Sequence, residues 1–92
     1  MTRSFRHRGL ERFFTKGDYG RIPGQHAVRI EMILDRLDIA QRPGDMAVPG
    51  LDFHPLKGDR KGSFAVKVSG NWRITFGFDG DDTVDVNLED YH

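Results

Sequence analysis

From Phe64 to Leu88 the chain reads Phe64-Ala65-Val66-Lys67-Val68, Ser69-Gly70-Asn71, Trp72-Arg73-Ile74-Thr75-Phe76-Gly77-Phe78, Asp79-Gly80-Asp81-Asp82, then Thr83-Val84-Asp85-Val86-Asn87-Leu88. In each long run a large apolar residue recurs at every second position, the period of a strand covered on one face. Ser69-Gly70-Asn71 and Asp79-Gly80 are turn formers, so the stretch predicts an antiparallel meander. Phe64, Val66 and Val68 share one face. Trp72, Ile74, Phe76 and Phe78 answer them, and Val84, Val86 and Leu88 make a last strand. By this parity Arg73 and Thr75 face the other way. The last strand should turn or end near Glu89, setting residues 90–92 at the rim of the sheet.

Upstream the period is helical. Leu10, Phe13 and Phe14 precede a Lys16-Gly17 stop, and Ser4-Phe5 before them could form a short strand. Pro23 suits the first turn of a second helix, whose apolar stripe is Ala27, Ile30, Ile33, Leu34 and Leu37. Arg42-Pro43-Gly44 ends it, and residues 41–50 read as a surface loop. Helices followed by a meander predict an α+β fold, with two N-terminal helices packed on one face of an antiparallel sheet.

Ninety-two residues make one domain, 1–92. With no cysteine there is no disulfide, thiol nucleophile or thiolate metal site. The four histidines fit no metal-ligand spacing, and no phosphate-binding glycine motif occurs, so neither metal nor cofactor is expected. Without a signal peptide or a long apolar run, a cytoplasmic protein with no membrane contact is expected. Formal net charge is zero but unevenly spread: eight Lys/Arg against four Asp/Glu in residues 1–36, six against four in 37–78, none against six in 79–92. A basic body beside an acidic last strand suits a phosphate-binding surface next to carboxylates.

Two polar clusters stand outside the core pattern. One is His54-Pro55-Leu56-Lys57-Gly58-Asp59-Arg60, where proline keeps His54 extended and glycine admits close backbone approach. The other is Glu89-Asp90-Tyr91-His92, an acid, a phenol and an imidazole that can exchange protons near neutral pH. Read alone, the first is a charged hairpin loop and the second a frayed end. His7 and His26 read as surface residues of helical segments. Trp72 and the seven phenylalanines read as core.

The runs Ser4-Phe5-Arg6-His7-Arg8-Gly9-Leu10, His54-Pro55-Leu56-Lys57-Gly58, Asn71-Trp72-Arg73-Ile74-Thr75-Phe76 and Glu89-Asp90-Tyr91-His92 together resemble the HigB toxins of bacterial type II toxin–antitoxin systems. The resemblance covers essentially the whole chain. It implies a RelE/ParE-like fold and an endoribonuclease that cuts messenger RNA in the A site of the 70S ribosome. It also implies a HigA-like helix-turn-helix antitoxin, through which alone the toxin would reach operator DNA. Carried over residue by residue, the site would comprise His54, Lys57, Arg73, Asp90, Tyr91 and His92. The cations expected on RNA or ribosome are Arg6, Arg8, Arg12, Lys16, Arg60 and Lys61.

These residue types suit metal-free cleavage, which needs a base for the 2′-hydroxyl, an acid for the leaving 5′-oxygen and cations for the phosphorane. His92 is the first candidate for base or acid, with Asp90 as partner and His54 as second proton carrier. Lys57 and Arg73 would hold the phosphate, and Tyr91 would orient it or stack a base. Rival functions are a ParE-like gyrase inhibitor, an RNA-binding regulator that does not cut, and an inactive toxin kept as antitoxin partner or co-repressor. The first has no use for the terminal triplet. The second predicts that Asp90→Asn or His92→Gln leaves toxicity intact.

Overall fold

A computed structural model describes residues 1–90. Two helices, α1 (Arg8–Lys16) and α2 (Ala27–Ile39), lie on one face of a four-stranded antiparallel sheet of order β1-β2-β3-β4. The strands are β1 (His54–Pro55), β2 (Ser63–Ser69), β3 (Trp72–Asp79) and β4 (Asp82–Asp90). This is the α+β architecture expected of the RelE-like fold.

Local chemistry sets the helix ends. His7 caps α1, its Nδ1 accepting the Leu10 amide at 3.0 Å, and burial together with the nearby Arg21 cation pushes the imidazole pKa down. Gly17, at φ 71°, ends α1 by donating to the Phe13 carbonyl. From α2, Ile30, Ile33, Leu34 and Leu37 are buried. They meet Val66, Val68, Ile74, Phe76, Val86 and Leu88 from the sheet, with Leu10 and Phe13 from α1. Removing this apolar surface from water is the main stabilising term.

The loop over residues 41–50 is less superficial than its prolines and glycines suggest. It contains a 3₁₀ turn, Pro43–Met46, and Met46 is fully buried in the core. Trp72 is half-buried against the core rather than enclosed by it. Ser4 and Phe5 lie in an extended segment beside β4, bridged in parallel at Thr2–Thr83 and Phe5–Val86.

The last strand departs from simple alternation. Asp79 pairs with Asp82 and Gly77 with Val84, but Thr75 pairs with Asn87, so β4 carries one extra residue. The bulge centres on Asp85, whose φ is 55° and whose amide donates to Ser4 Oγ at 2.9 Å. It reverses the parity of the strand. Thr83, not Val84, faces the helices, fully buried and donating to the Leu37 carbonyl at 2.9 Å. Val84 shares the opposite face with Gly77. Beyond the bulge Val86 and Leu88 point inward as expected. The strand then runs on through Glu89 to Asp90, which pairs with Trp72, rather than turning away.

Candidate active site

On the face of the sheet turned from the helices, directly paired residues form rows across the strands, and members of a row share a face. One row is His54, Ala65, Thr75 and Asn87; the next is Lys67, Arg73 and Glu89. The two rows set an imidazole, a hydroxyl, an amide, a guanidinium and a carboxylate side by side. Ala65, with only a methyl group, separates His54 from Thr75.

Glu89 is the centre of this face. Its Oε1 accepts from Arg73 Nε at 3.1 Å and Arg73 Nη2 at 3.0 Å, and from Arg60 Nη1 at 3.1 Å. Its Oε2 accepts from Arg60 Nη2, from Thr75 Oγ1 at 3.2 Å and from Asn87 Nδ2 at 3.5 Å. Hydrogen bonds from Arg60, then from Arg73, outweigh desolvation and hold the carboxyl pKa down to about 2. Glu89 is therefore ionised throughout the range in which enzymes work. It is an acceptor and a fixed charge, not a proton carrier.

Arg60 reaches Glu89 from the loop after β1, where Gly58–Arg60 form a 3₁₀ turn. Gly58 and Gly62 bracket the turn with φ of 70° and 98°, conformations that favour glycine and let the loop fold back over the sheet. Under it lies a cleft of about 200 Å³ lined by Arg6, Asp59, Arg60, Ser63, Thr75 and Asn87, among others. Arg60 keeps 42% of its side-chain surface exposed and Arg73 only 15%.

His54 is oriented by its neighbourhood. Its Nδ1 lies 2.9 Å from the Asp52 carbonyl oxygen, which can only accept, so Nδ1 carries the proton and Nε2 presents the lone pair. Lys57 is exposed at the start of the 3₁₀ turn, its carbonyl accepting the Arg60 amide at 3.3 Å. Asp90 is exposed, and strand alternation sets it on the face opposite Glu89. Tyr91 and His92 lie outside the described residues. His54, Arg73 and Arg60 thus share one face with Glu89.

The remaining cations are spread more widely. Arg8, Arg12 and Lys16 recur at helical spacing along the exposed side of α1, with Arg12 ion-paired to Asp18 at 3.2 Å. Arg6 lines the cleft, and Lys61 is exposed beside Arg60. Among the described residues, no three His, Cys, Asp or Glu side chains are grouped to hold a metal ion. No helix among them is long and apolar enough to cross a membrane.

Glu89, Thr75 and Asn87 are the site residues that sequence reading missed. The available signal was position: Glu89 follows the inward Leu88 by one residue and so must share a face with Arg73.

Two comparisons bear on the assignment. The family described as "RelE-like toxin of type II toxin-antitoxin system HigB" matches residues 3–92. The "Endoribonuclease HigB" of Proteus vulgaris is 42% identical over 92 residues, covering 100% of each chain.

Proposed function

The chain belongs to the HigB family of RelE-like toxins in type II toxin–antitoxin systems, and on that premise we propose that it is a ribosome-dependent endoribonuclease that cuts messenger RNA in the A site. The observation that carries this reading is the polar sheet face, where His54 stands one row from the Arg73–Glu89–Arg60 cluster. A charged RNA backbone needs cations held in fixed geometry, and cleavage needs a group able to take a proton near neutral pH. Both lie on this face.

The reaction we infer is transesterification by the RNA's own 2′-hydroxyl. His54 Nε2 takes the proton as the 2′-oxygen attacks phosphorus. The bond from phosphorus to the 5′-oxygen breaks, and His92, as imidazolium, protonates the leaving oxygen. The products are a 2′,3′-cyclic phosphate and a free 5′-hydroxyl, with no metal in the step. Arg73 and Lys57 hold the phosphate, Asp90 supports His92, and Tyr91 orients the substrate. Arg6, Arg8, Arg12, Lys16 and Lys61 engage RNA or ribosome backbone. Precise placement of the message by the ribosome adds a proximity contribution that free RNA lacks. Such a toxin works in the cytoplasm, and its partner is a HigA-like helix-turn-helix antitoxin that binds operator DNA for both.

The test is single-turnover cleavage of message on purified ribosomes. Cutting in the A site, loss of cutting when the scissile nucleotide is 2′-deoxy, and a cyclic phosphate end would each support the reading. Unchanged cutting of the deoxy substrate would end the 2′-hydroxyl mechanism. Equal cutting of free message would end ribosome dependence.

A further inference from the structure

Two arginines that bind the same carboxylate are ordinarily a structural cluster, yet this one sits on the face that carries His54 and opens onto a cleft. Glu89 contacts each guanidinium differently. Arg73 is gripped along its Nε/Nη2 edge from a neighbouring strand, and Arg60 through Nη1 and Nη2 from a loop. One carboxylate is thus shared by two guanidinium groups, and Asp59 adds a second negative charge near Arg60. The thermodynamics give Glu89 no proton to exchange, since its pKa lies far below neutrality.

We propose that Glu89 is a positioning residue, an anion built into β4 that holds Arg60 and Arg73 in convergent geometry for an RNA phosphodiester. Thr75 and Asn87 fix its second oxygen so that the carboxylate itself does not swing. Arg73, nearly covered, is the static member; Arg60, more exposed and carried by the Gly58–Gly62 loop, is the member that exchanges Glu89 for phosphate as RNA enters. The carboxylate thus acts in two ways. It sets geometry, and by neutralising one of two cations it keeps RNA binding from becoming tight and unselective. This role rests on the endoribonuclease reading above.

Glu89→Gln separates the two effects, because it keeps the shape and removes the charge. Without the anion the arginines lose their common anchor while both become available to phosphate. Single-turnover cleavage on ribosomes should fall about 10²-fold, the usual cost of small misplacement of a reacting group. Binding of a single-stranded RNA with 2′-O-methyl groups throughout, which cannot be cut by 2′-hydroxyl attack, should be tighter. Its dependence of log affinity on log salt should steepen by about 0.7 for the cation released. Glu89→Asp keeps the charge on a shorter arm, so it should retain the wild-type salt slope and recover part of the lost rate.

A Glu89→Gln variant that cleaves at the wild-type rate overturns the proposal. So does one that loses rate and affinity in the same proportion, which marks a merely structural residue. If Glu89→Gln does not fold, Glu89→Asp decides alone: wild-type rate and a changed slope would overturn the positioning role. Should the wild-type protein bind the methylated RNA but cut no message, the nuclease reading fails instead, and the salt slopes still report whether Glu89 restrains the arginines.

Discussion

Arg73 and Glu89 face each other across β3 and β4, and Glu89 Oε1 accepts hydrogen bonds from both Nε and Nη2 of Arg73. The pair is mostly covered, with 15% and 19% of the side-chain surfaces exposed. Its strength comes from geometry as much as charge, because two donors of one planar fork meet one oxygen.

Replacing Arg73 by Lys keeps the charge and loses the fork. Cleavage on ribosomes should drop by about 10²–10³-fold, the range for removing one donor that stabilises developing charge. The fold should lose only about 1 kcal/mol, since Arg60 and Thr75 still satisfy Glu89. Single-turnover kinetics beside a urea melt checks both numbers, and a wild-type rate would exclude Arg73 from the reaction.

His54→Gln removes the lone pair at Nε2 while leaving a side chain that can still donate to the Asp52 carbonyl. Cleavage should fall about 10²–10⁴-fold. Single-turnover cleavage on ribosomes checks this, and a wild-type rate in the variant would exclude His54 from proton transfer.

Deleting His92, or changing it to Gln, removes the proposed general acid. The expected loss is again about 10²–10⁴-fold in cleavage, with little change in melting temperature because chain ends generally contribute little to stability. Toxicity on expression offers a cellular readout: arrest with the wild type, relief by a co-expressed antitoxin, and growth with the variant. Full activity of the deletion would leave His54 as the imidazole that matters.

Acid should weaken the fold through Glu89. Its pKa lies near 2 in the folded chain against an ordinary 4.5, so its contribution is complete above the ordinary value and is lost as pH falls from about 5 toward 2. Partial exposure of Arg60 screens the effect, leaving on the order of 2 kcal/mol. Denaturant midpoints of the wild type and Glu89→Gln should converge as pH is lowered across this window. Parallel curves would show that the carboxylate is not held as described.

Thr83→Val tests the bulge. With Thr83 inward, the change removes the bond to the Leu37 carbonyl and should cost about 1–2 kcal/mol. If instead Val84 filled the core, Thr83→Val would be neutral on the surface and Val84→Thr would be the costly change. Urea midpoints of the two variants distinguish these outcomes.

The bulge also explains what the sequence could and could not disclose. Helix stripes and strand alternation identified α1, α2, β2, β3 and the inward Val86 and Leu88, because each depends on a local period. The pairing of Asp79 with Asp82, continued without an extra residue, would set Leu88 opposite Arg73. Only the insertion at Asp85 brings Glu89 there instead. A left-handed aspartate leaves no periodic signal, so alternation could put Glu89 on the face of Arg73 but not directly opposite it, and Asp90 drew attention instead. Met46 escaped for a related reason: one core residue in a proline- and glycine-rich loop has no period to reveal it.

The two margins of the sheet bear on how the protein behaves at high concentration. At one margin β4 is bonded to the segment before α1, through Arg3 to Thr83 and Arg6 to Val86. At the other, β2 is paired with the two residues of β1, and flanking contacts extend the cover from Leu51–Lys67 to Leu56–Ser63. Pro55 sits in β1, and proline has no amide to offer a further strand. Along these stretches both borders are closed to runaway strand addition, and a toxin freed of its partner should stay dispersed long enough to meet its target instead of stacking into fibrils.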